Sequence, residues 1–242
     1  MSVNFGKNAL ITGASSGIGK ATALTFAKAG INLALVSRNQ DKLEEIALTA
    51  REMGVKATAY PLDLAKIDQI KQKISEIATD FGGINILINN AGMGYTANLM
   101  DTPLIDWQKI IDLNLTSAFQ CIQGILPQMR ERAEGTIINV VSIAGKTTFP
   151  GWGAYSVSKF GLMALSKTLA AEESSNGIRV TAICPGSTNT PLWDTETVTA
   201  NFDKTVMLSP EIIADSILHI VTLPKQAVIE ELTLMPTAGI LS

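Results

Sequence analysis

The chain has 242 residues, a net charge of -3 at pH 7 and a sequence pI near 5.3. This charge argues against a nucleic-acid partner, and the longest apolar runs are too short to span a membrane. One histidine and two cysteines in apolar settings argue against a His-based triad and a metal site. Because neither a linker nor a signal peptide is recognisable, we expect one cytoplasmic domain over residues 1–242.

Strand-like and helix-like segments alternate along the whole chain. Strands are predicted over residues 8–11, 33–36, 55–62, 84–88, 135–141, 178–183 and 227–234. Helices are predicted over residues 17–28, 42–52, 66–79, 106–131, 154–174 and 210–222. Val-, Ile- and Leu-rich strands separated by helices indicate a mainly parallel sheet covered on both faces. The predicted fold class is therefore α/β, a doubly wound, Rossmann-like sheet in a single domain.

A glycine-rich turn joins the first strand to the first helix. Gly13 permits a tight turn, Gly17 lets the backbone approach a pyrophosphate, and Gly19 allows close packing of helix on strand. The helix N-terminus then faces the phosphate charge. An ordinary strand–helix connection is the alternative, but the position of the turn favours dinucleotide binding. The residues assigned to this role are Gly13, Ser15, Ser16, Gly17, Ile18 and Gly19.

The end of the second strand bears on which dinucleotide binds. It reads Ser37-Arg38-Asn39, without the carboxylate that would bond the ribose 2′-hydroxyl of NAD. A guanidinium can grip a 2′-phosphate instead, so the pattern favours NADP(H). The alternative for Arg38 is a solvated surface arginine. Asp41 is interpreted as the cap of the next helix.

Two further segments are candidate cofactor contacts. Asp63, followed by Leu64, is placed to reach the adenine amine, although a turn-forming aspartate is a serious alternative. The small residues after the fourth strand would let the backbone approach the adenine ribose; they are Asn90, Ala91 and Gly92, preceded by Asn89.

The chemistry is assigned to Tyr155 and Lys159, which lie four residues apart at the start of a helix and so share one face. A phenol has a pKa of about 10, and a nearby cation stabilises the phenolate and lowers that pKa. Ser142 follows the fifth strand, where its hydroxyl could hold a substrate oxygen. Asn114 lies in a helical stretch that it does not favour; a buried asparagine that bonds backbone locally is the alternative.

In this order and at these separations, the motifs resemble the short-chain dehydrogenase/reductase family, in its compact single-domain branch. The resemblance implies that Tyr155 is the general acid/base and that Lys159 binds the nicotinamide ribose and tunes Tyr155. It implies that Ser142 orients the substrate carbonyl and that Asn114 anchors a water relay. It further implies that Pro185, Gly186, Thr188 and Thr190 cover the nicotinamide, and that the chain forms a homotetramer or a homodimer.

The implied reaction is the reversible transfer of a hydride from NADPH to a ketone or aldehyde carbonyl. Residues 187–208 are interpreted as a substrate lid. The pocket is expected to be framed by residues 92–95, 144–145, 151–153 and Trp193.

Two alternatives stay open. The first is a 3-oxoacyl-carrier-protein reductase, but Ala171 stands where such enzymes place a basic residue, which makes carrier-protein docking doubtful. Arg130 and Arg132 remain as possible contacts with the acidic carrier. The second is a cofactor sensor without catalysis, which typically lacks the Tyr or the Lys that this chain retains.

Overall fold

The computed structural model describes residues 6–199 and 202–239, which contain one seven-stranded sheet. Its strands follow the order β3-β2-β1-β4-β5-β6-β7, and every neighbouring pair is parallel. They are β1 (Asn8–Thr12), β2 (Asn32–Ser37), β3 (Ala57–Pro61), β4 (Ile86–Asn89), β5 (Gly135–Val140), β6 (Ile178–Pro185) and β7 (Glu231–Leu234). The predicted doubly wound α/β fold is confirmed.

Helices cover both faces of this sheet. They are α1 (Gly17–Lys28), α2 (Gln40–Glu52), α3 (Ile67–Phe81), α4 (Leu104–Ile111), α5 (Ser117–Arg132), α6 (Gly153–Glu173) and α7 (Pro210–Thr222). Helices α1, α2 and α7 pack together on one face, whereas α3 and α5 pack on the other with α6 beside them. None of the helices in the described residues has the length and apolarity needed to span a bilayer.

Residues of a single strand alternate between the two halves of the core. In β1, Ala9 and Ile11 pack under α1, α2 and α7, while Leu10 between them packs under α3 and α5. Leu33 and Leu35 of β2 also pack under α1, α2 and α7. Strands buried on both faces in this way read as continuous apolar runs, which is why their positions could be predicted.

The predicted helix over residues 106–131 is wrong in one respect, because a π-helical turn over Asp112–Thr116 separates α4 from α5. Asn114 lies in this turn, and its side chain bonds the backbone of Met93 and the hydroxyl of Ser158. Short π-helical segments of this kind often occur at functional sites.

Several element boundaries lie one or two residues from the predicted ones, and two further differences have a clear physical cause. Helix α2 is capped by Asn39, whose Oδ1 accepts a hydrogen bond of 2.9 Å from the Lys42 amide, so Asp41 is not the cap. Strand β7 begins at Glu231 rather than at residue 227. The guanidinium of Arg179 bonds the Ala227 carbonyl, which holds this segment as a loop before the strand.

An ion pair between the exposed Arg130 and the buried Glu173 joins the ends of α5 and α6. The fully buried carboxylate of Glu173 accepts hydrogen bonds from Nε and Nη2 of Arg130 and from Nδ2 of Asn176, the first and third at 2.9 Å. The bonds from Arg130 and then that from Asn176 hold the pKa of this carboxyl below its usual range, against the effect of burial. The pair therefore contributes stability while Glu173 is ionised.

We expect Glu173→Gln to lower the unfolding temperature near neutral pH and to weaken its dependence on pH in acid. A folded-state pKa below the unfolded value of about 4.3 means that the stabilisation is complete above that value. It is lost as the pH falls through the folded pKa. Thermal unfolding followed by circular dichroism across this range checks the prediction. The exposed neighbour Glu172→Gln is the control, and equal curves for the two variants would contradict it.

Candidate active site

The carboxyl ends of the strands open into a cleft of about 970 Å³. Two of the predicted residues do not line it, Gly19 and Asn114, which lie directly behind its wall. The predicted site residues that do line it are Gly13, Ser15, Ser16, Gly17, Ile18, Ser37, Arg38, Asp63, Leu64, Asn90, Ala91, Gly92, Ser142, Tyr155, Lys159, Pro185, Gly186, Thr188 and Thr190. Residues from all along the chain thus meet at the edge of the sheet where ligands of such folds bind.

The β1–α1 turn needs glycine at each of the three positions named from the sequence. Gly13 and Gly17 have φ values of +64° and +51°, which residues with a side chain rarely adopt. A Cβ on Gly19 would lie 2.3 Å from the Gly13 carbonyl oxygen. Only glycine therefore allows α1 to approach the strand this closely.

Thr12 and Asn90 tie this turn to the loop after β4, a function that the sequence analysis did not assign. The Thr12 hydroxyl accepts hydrogen bonds of 3.0 Å from the amides of Asn90 and Ala91 and donates one to the Ile88 carbonyl. The Asn90 amide group donates to the Thr12 carbonyl at 2.9 Å. These bonds could not be predicted from the sequence around Thr12, because the partner Asn90 is 78 residues away.

The residues at the end of β2 and β3 form the far end of the cleft. Arg38 is exposed there, and Ser37 is buried with its hydroxyl 3.3 Å from the Asn39 amide, from which it accepts a hydrogen bond. Asp63 lines the same end, but its Oδ1 accepts from the Ala65 amide at 3.1 Å. This is the hydrogen bond expected of a turn-forming aspartate, the alternative to a contact with the adenine amine.

Tyr155 and Lys159 lie in the first two turns of α6. The Lys159 ammonium is buried, donates to the Val140 carbonyl at 3.0 Å, and lies 5.7 Å from the centre of the Tyr155 ring. Ser142 lies two residues beyond β5, and its Oγ accepts from the Ala144 amide at 3.0 Å. The three side chains therefore meet at one side of the cleft.

Burial changes the acidity of both groups. It raises the pKa of the Tyr155 phenol, although a hydrogen bond with Ser142 acts in the opposite direction. It lowers the pKa of Lys159 to about 8. Burial thus acts on the Tyr155 pKa in the direction opposite to the lowering expected from the sequence, because it removes the phenolate from water.

Asn114 is fully engaged with its neighbours. Its Oδ1 accepts from the Met93 amide at 2.8 Å, and its Nδ2 donates to the Met93 carbonyl and to Ser158 Oγ, both at 3.0 Å. The alternative of a buried asparagine bonding backbone thus fits these contacts. Ser158 in turn donates to the Tyr155 carbonyl at 2.7 Å, so it connects Asn114 to the start of α6.

Gly92 lies between Asn114 and Lys159. A Cβ at this position would be 3.1 Å from Asn114 Oδ1 and 3.6 Å from Lys159 Nζ. The absence of a side chain keeps this part of the cleft floor open beside the buried ammonium.

The segment predicted as a lid, residues 187–208, covers one side of the cleft; its residues 200 and 201 lie outside the described residues. Thr197 Oγ1 donates to the Gly94 carbonyl at 2.8 Å, and the Thr197 carbonyl accepts from the Thr96 amide at 2.9 Å. An ion pair between Lys204 and Asp194 connects two parts of the segment. The two hydrogen bonds of Thr197 fasten the segment to the loop after β4.

The residues expected to frame the pocket are only partly correct. The predicted residues that line the cleft are Gly92, Met93, Gly94, Ala144, Trp152 and Trp193; Phe149 and Phe202 also line it but were not predicted. Tyr95, Gly145, Gly151 and Gly153 are absent from the lining. The Tyr95 hydroxyl lies 3.3 Å from the Asp106 carboxylate instead.

Comparison with known proteins agrees with this geometry. The profile of the short chain dehydrogenase family matches residues 7–201. A 3-oxoacyl-acyl-carrier-protein reductase of Staphylococcus epidermidis is 40% identical over 181 residues, 74% of each chain. A D-beta-hydroxybutyrate dehydrogenase of Rhizobium meliloti is 39% identical over 190 residues, 77% of this chain and 73% of the relative.

Among solved structures, an alcohol dehydrogenase from the archaeon Thermococcus sibiricus, complexed with 5-hydroxy-NADP, superposes with a TM-score of 0.89. It is 28% identical, and the match covers 98% of this chain and 99% of that chain. With the family profile, the sequence identities and this fold all in agreement, the chain belongs to the short-chain dehydrogenase family of oxidoreductases.

Proposed function

We propose that this protein is an NADPH-dependent reductase that converts a ketone or aldehyde to an alcohol, and catalyses the reverse reaction. The observation that carries the proposal is the placement of Tyr155, Lys159 and Ser142 in the same cleft as the glycine turn and Arg38. One end has the groups for proton transfer, and the other has the groups that a phosphorylated dinucleotide requires.

The cleft fits a dinucleotide. A Cβ on Gly13 would lie 2.8 Å from Asn90 Nδ2, so glycine is required at this position. Without a side chain there, the space beside the turn stays open. The turn from Gly13 to Ile18 would hold the pyrophosphate, and Arg38 with Ser37 would hold a 2′-phosphate. Thr188 and Thr190 would lie beside the nicotinamide, with Lys159 at its ribose. The Thermococcus relative, solved with 5-hydroxy-NADP, supports the choice of NADP(H).

Within this arrangement, Tyr155 is the proton donor. When bound, the reduced nicotinamide supplies a hydride to the carbonyl carbon. The phenol of Tyr155 gives its proton to the carbonyl oxygen, and the raised pKa of this group keeps it protonated before the reaction. The hydroxyl of Ser142 orients the oxygen as charge develops on it, and the Lys159 ammonium stabilises the phenolate that is left.

A 3-oxoacyl-carrier-protein reductase is the second candidate, because the Staphylococcus relative is described as one. The contacts of the two arginines that could meet an acidic carrier argue against it. Arg130 pairs with Glu173, and Arg132 donates to the Ile84 carbonyl. Both arginines are exposed, but these contacts engage part of the basic surface that usually guides such docking.

An assay of NADPH oxidation tests the proposal. Ketones, aldehydes, free 3-oxoacyl thioesters and the same thioesters on a carrier protein serve as substrates. Turnover of free carbonyl compounds supports the reductase, and a strong preference for the carrier-bound thioesters supports the second candidate. Tight NADPH binding without turnover of any compound would instead support a cofactor sensor and contradict the proposed function.

We further propose that the chain assembles as a homotetramer or homodimer through the α4 and α6 surface. Leu104, Ile105 and Phe160 are exposed there by 79, 75 and 41%. Such a patch on a single chain is typical of an interface. Light scattering should give a multiple of the monomer mass, and Ile105→Glu should reduce it. Leu48→Glu on α2, where the leucine is 55% exposed, should not; a monomeric wild type would contradict the proposal.

A further inference from the structure

A row of aromatic rings extends from Tyr155 towards the mouth of the cleft. The ring centres of Tyr155 and Trp152 are 5.5 Å apart, those of Trp152 and Trp193 5.8 Å, and those of Trp193 and Phe202 5.1 Å. All of these residues line the cleft. We call Trp152, Trp193 and Phe202 the aromatic wall. In the proposed reaction, the substrate carbonyl that Tyr155 protonates therefore lies next to this wall.

The wall is preformed. The indole Nε1 of Trp193 donates to the Thr188 carbonyl at 2.7 Å, and Thr188 itself is buried. Each neighbouring pair of rings meets edge to face, the arrangement that aromatic rings prefer. A substrate therefore meets a fixed apolar surface whose formation costs little at binding.

Trp152 and Trp193 lie in segments that contain no basic residue, and Lys204, two residues after Phe202, forms an ion pair with Asp194. Residues 149–155 and 187–199 have no Lys, Arg or His, and they contribute the acids Asp194 and Glu196 to the cleft lining. The basic side chains that line the cleft come from other segments and are Arg38, Lys109 and Lys159. A carboxylate on a substrate held against the wall would therefore lose contact with water without gaining a cation from residues 149–155 or 187–199, while Glu196 lines the same cleft.

We infer that the substrate is an uncharged ketone bearing an aryl or similarly large apolar substituent, and that Trp193 selects this substituent. The inference rests on the proposed reductase function and narrows it. It separates this chain from a dehydrogenase of small oxo acids, since the residues that contact the substituent provide ring surface and no positive charge.

Four ketones test the two parts of the inference separately in the NADPH oxidation assay. They are methyl benzoylformate, benzoylformate, methyl pyruvate and pyruvate, which vary charge and ring independently. We expect kcat/KM for methyl benzoylformate to exceed that for benzoylformate about 100-fold and that for methyl pyruvate about 10-fold. Equal or better use of either acid, or of methyl pyruvate, would overturn the inference while leaving a reductase in place. No turnover of any of the four would overturn the inference, and the wider panel of carbonyl compounds then decides whether the reductase function stands.

Variants of Trp193 assign the selection to this residue. Trp193→Ala should raise KM for methyl benzoylformate about 10-fold and that for methyl pyruvate less than about 3-fold, with Trp193→Phe in between. Trp107→Phe, on α4 and outside the cleft lining, should match the wild type. Equal changes of KM for the two esters in Trp193→Ala would overturn the role of Trp193.

A binding measurement needs no turnover. Methyl benzoylformate, titrated into the protein with oxidised NADP, cannot be reduced, and its contact with the wall should quench tryptophan fluorescence. The quenching should be retained in Trp107→Phe and become much weaker in Trp193→Phe. Unchanged quenching in Trp193→Phe would contradict the contact. Unfolding temperature and NADP binding, measured on each variant, show that the protein is folded.

Discussion

Substitution of Tyr155 by Phe is expected to reduce kcat for carbonyl reduction by about 1,000-fold or more, because the reaction loses its proton donor. Phe keeps the ring and its contact with Trp152, whose ring centre lies 5.5 Å away. Binding of NADPH should therefore be nearly unchanged. Steady-state kinetics gives the first quantity, and a fluorescence titration of NADPH gives the second.

Tyr60→Phe is the matched control for this variant. The Tyr60 hydroxyl bonds Asp80 on the surface between β3 and α3, and Tyr60 does not line the cleft. Its loss should leave kcat unchanged. Turnover by Tyr155→Phe within about 10-fold of the wild type would show that proton transfer has another source, and the role of Tyr155 would be rejected.

Replacement of Arg38 by Asp is expected to shift the kcat/KM ratio of NADPH to NADH by roughly 100-fold towards NADH. The change removes charged hydrogen bonds to the 2′-phosphate and places a carboxylate that repels it. The same carboxylate can bond the 2′-hydroxyl of NADH. Parallel titrations with the two cofactors at a fixed concentration of one ketone measure the shift.

Lys71→Asp provides a control of equal charge change, since Lys71 is exposed on α3 and absent from the cleft lining. It should leave the ratio unchanged and so report any effect of net charge alone. If Arg38→Asp behaves like Lys71→Asp, Arg38 is a solvated surface arginine, which is the alternative that its exposure allows.

Much of the fold could be predicted because its signals are local. The apolar runs of β1, β2 and β5 and the amphipathic α3 appear within windows of five to fifteen residues. The errors have local causes too. Asn39 and Asp41 are both good caps two residues apart, and only the extended backbone of Asn39 decides between them.

The candidate site could be predicted where one segment carries the whole pattern. The glycine pattern needs Gly13 in the β1–α1 turn and Gly17 and Gly19 at the start of α1, and the spacing of Tyr155 and Lys159 needs one helix. Contacts between distant segments could not be predicted. Thr96 meets Thr197 across 101 residues, and Arg130 meets Glu173 across 43. No pattern along the chain records such partners.

By itself, then, the sequence determined the α/β alternation, the glycine turn and the presence of Tyr155 and Lys159 on one helical face, because each depends on neighbours within a few residues. The tertiary structure alone decided the rest. It set the acidity of Tyr155 and Lys159, since burial from all sides raises one pKa and lowers the other. It also interrupted a helix at Asn114 and joined Trp152, Trp193 and Phe202 into one wall, since packing brings together what the chain keeps apart.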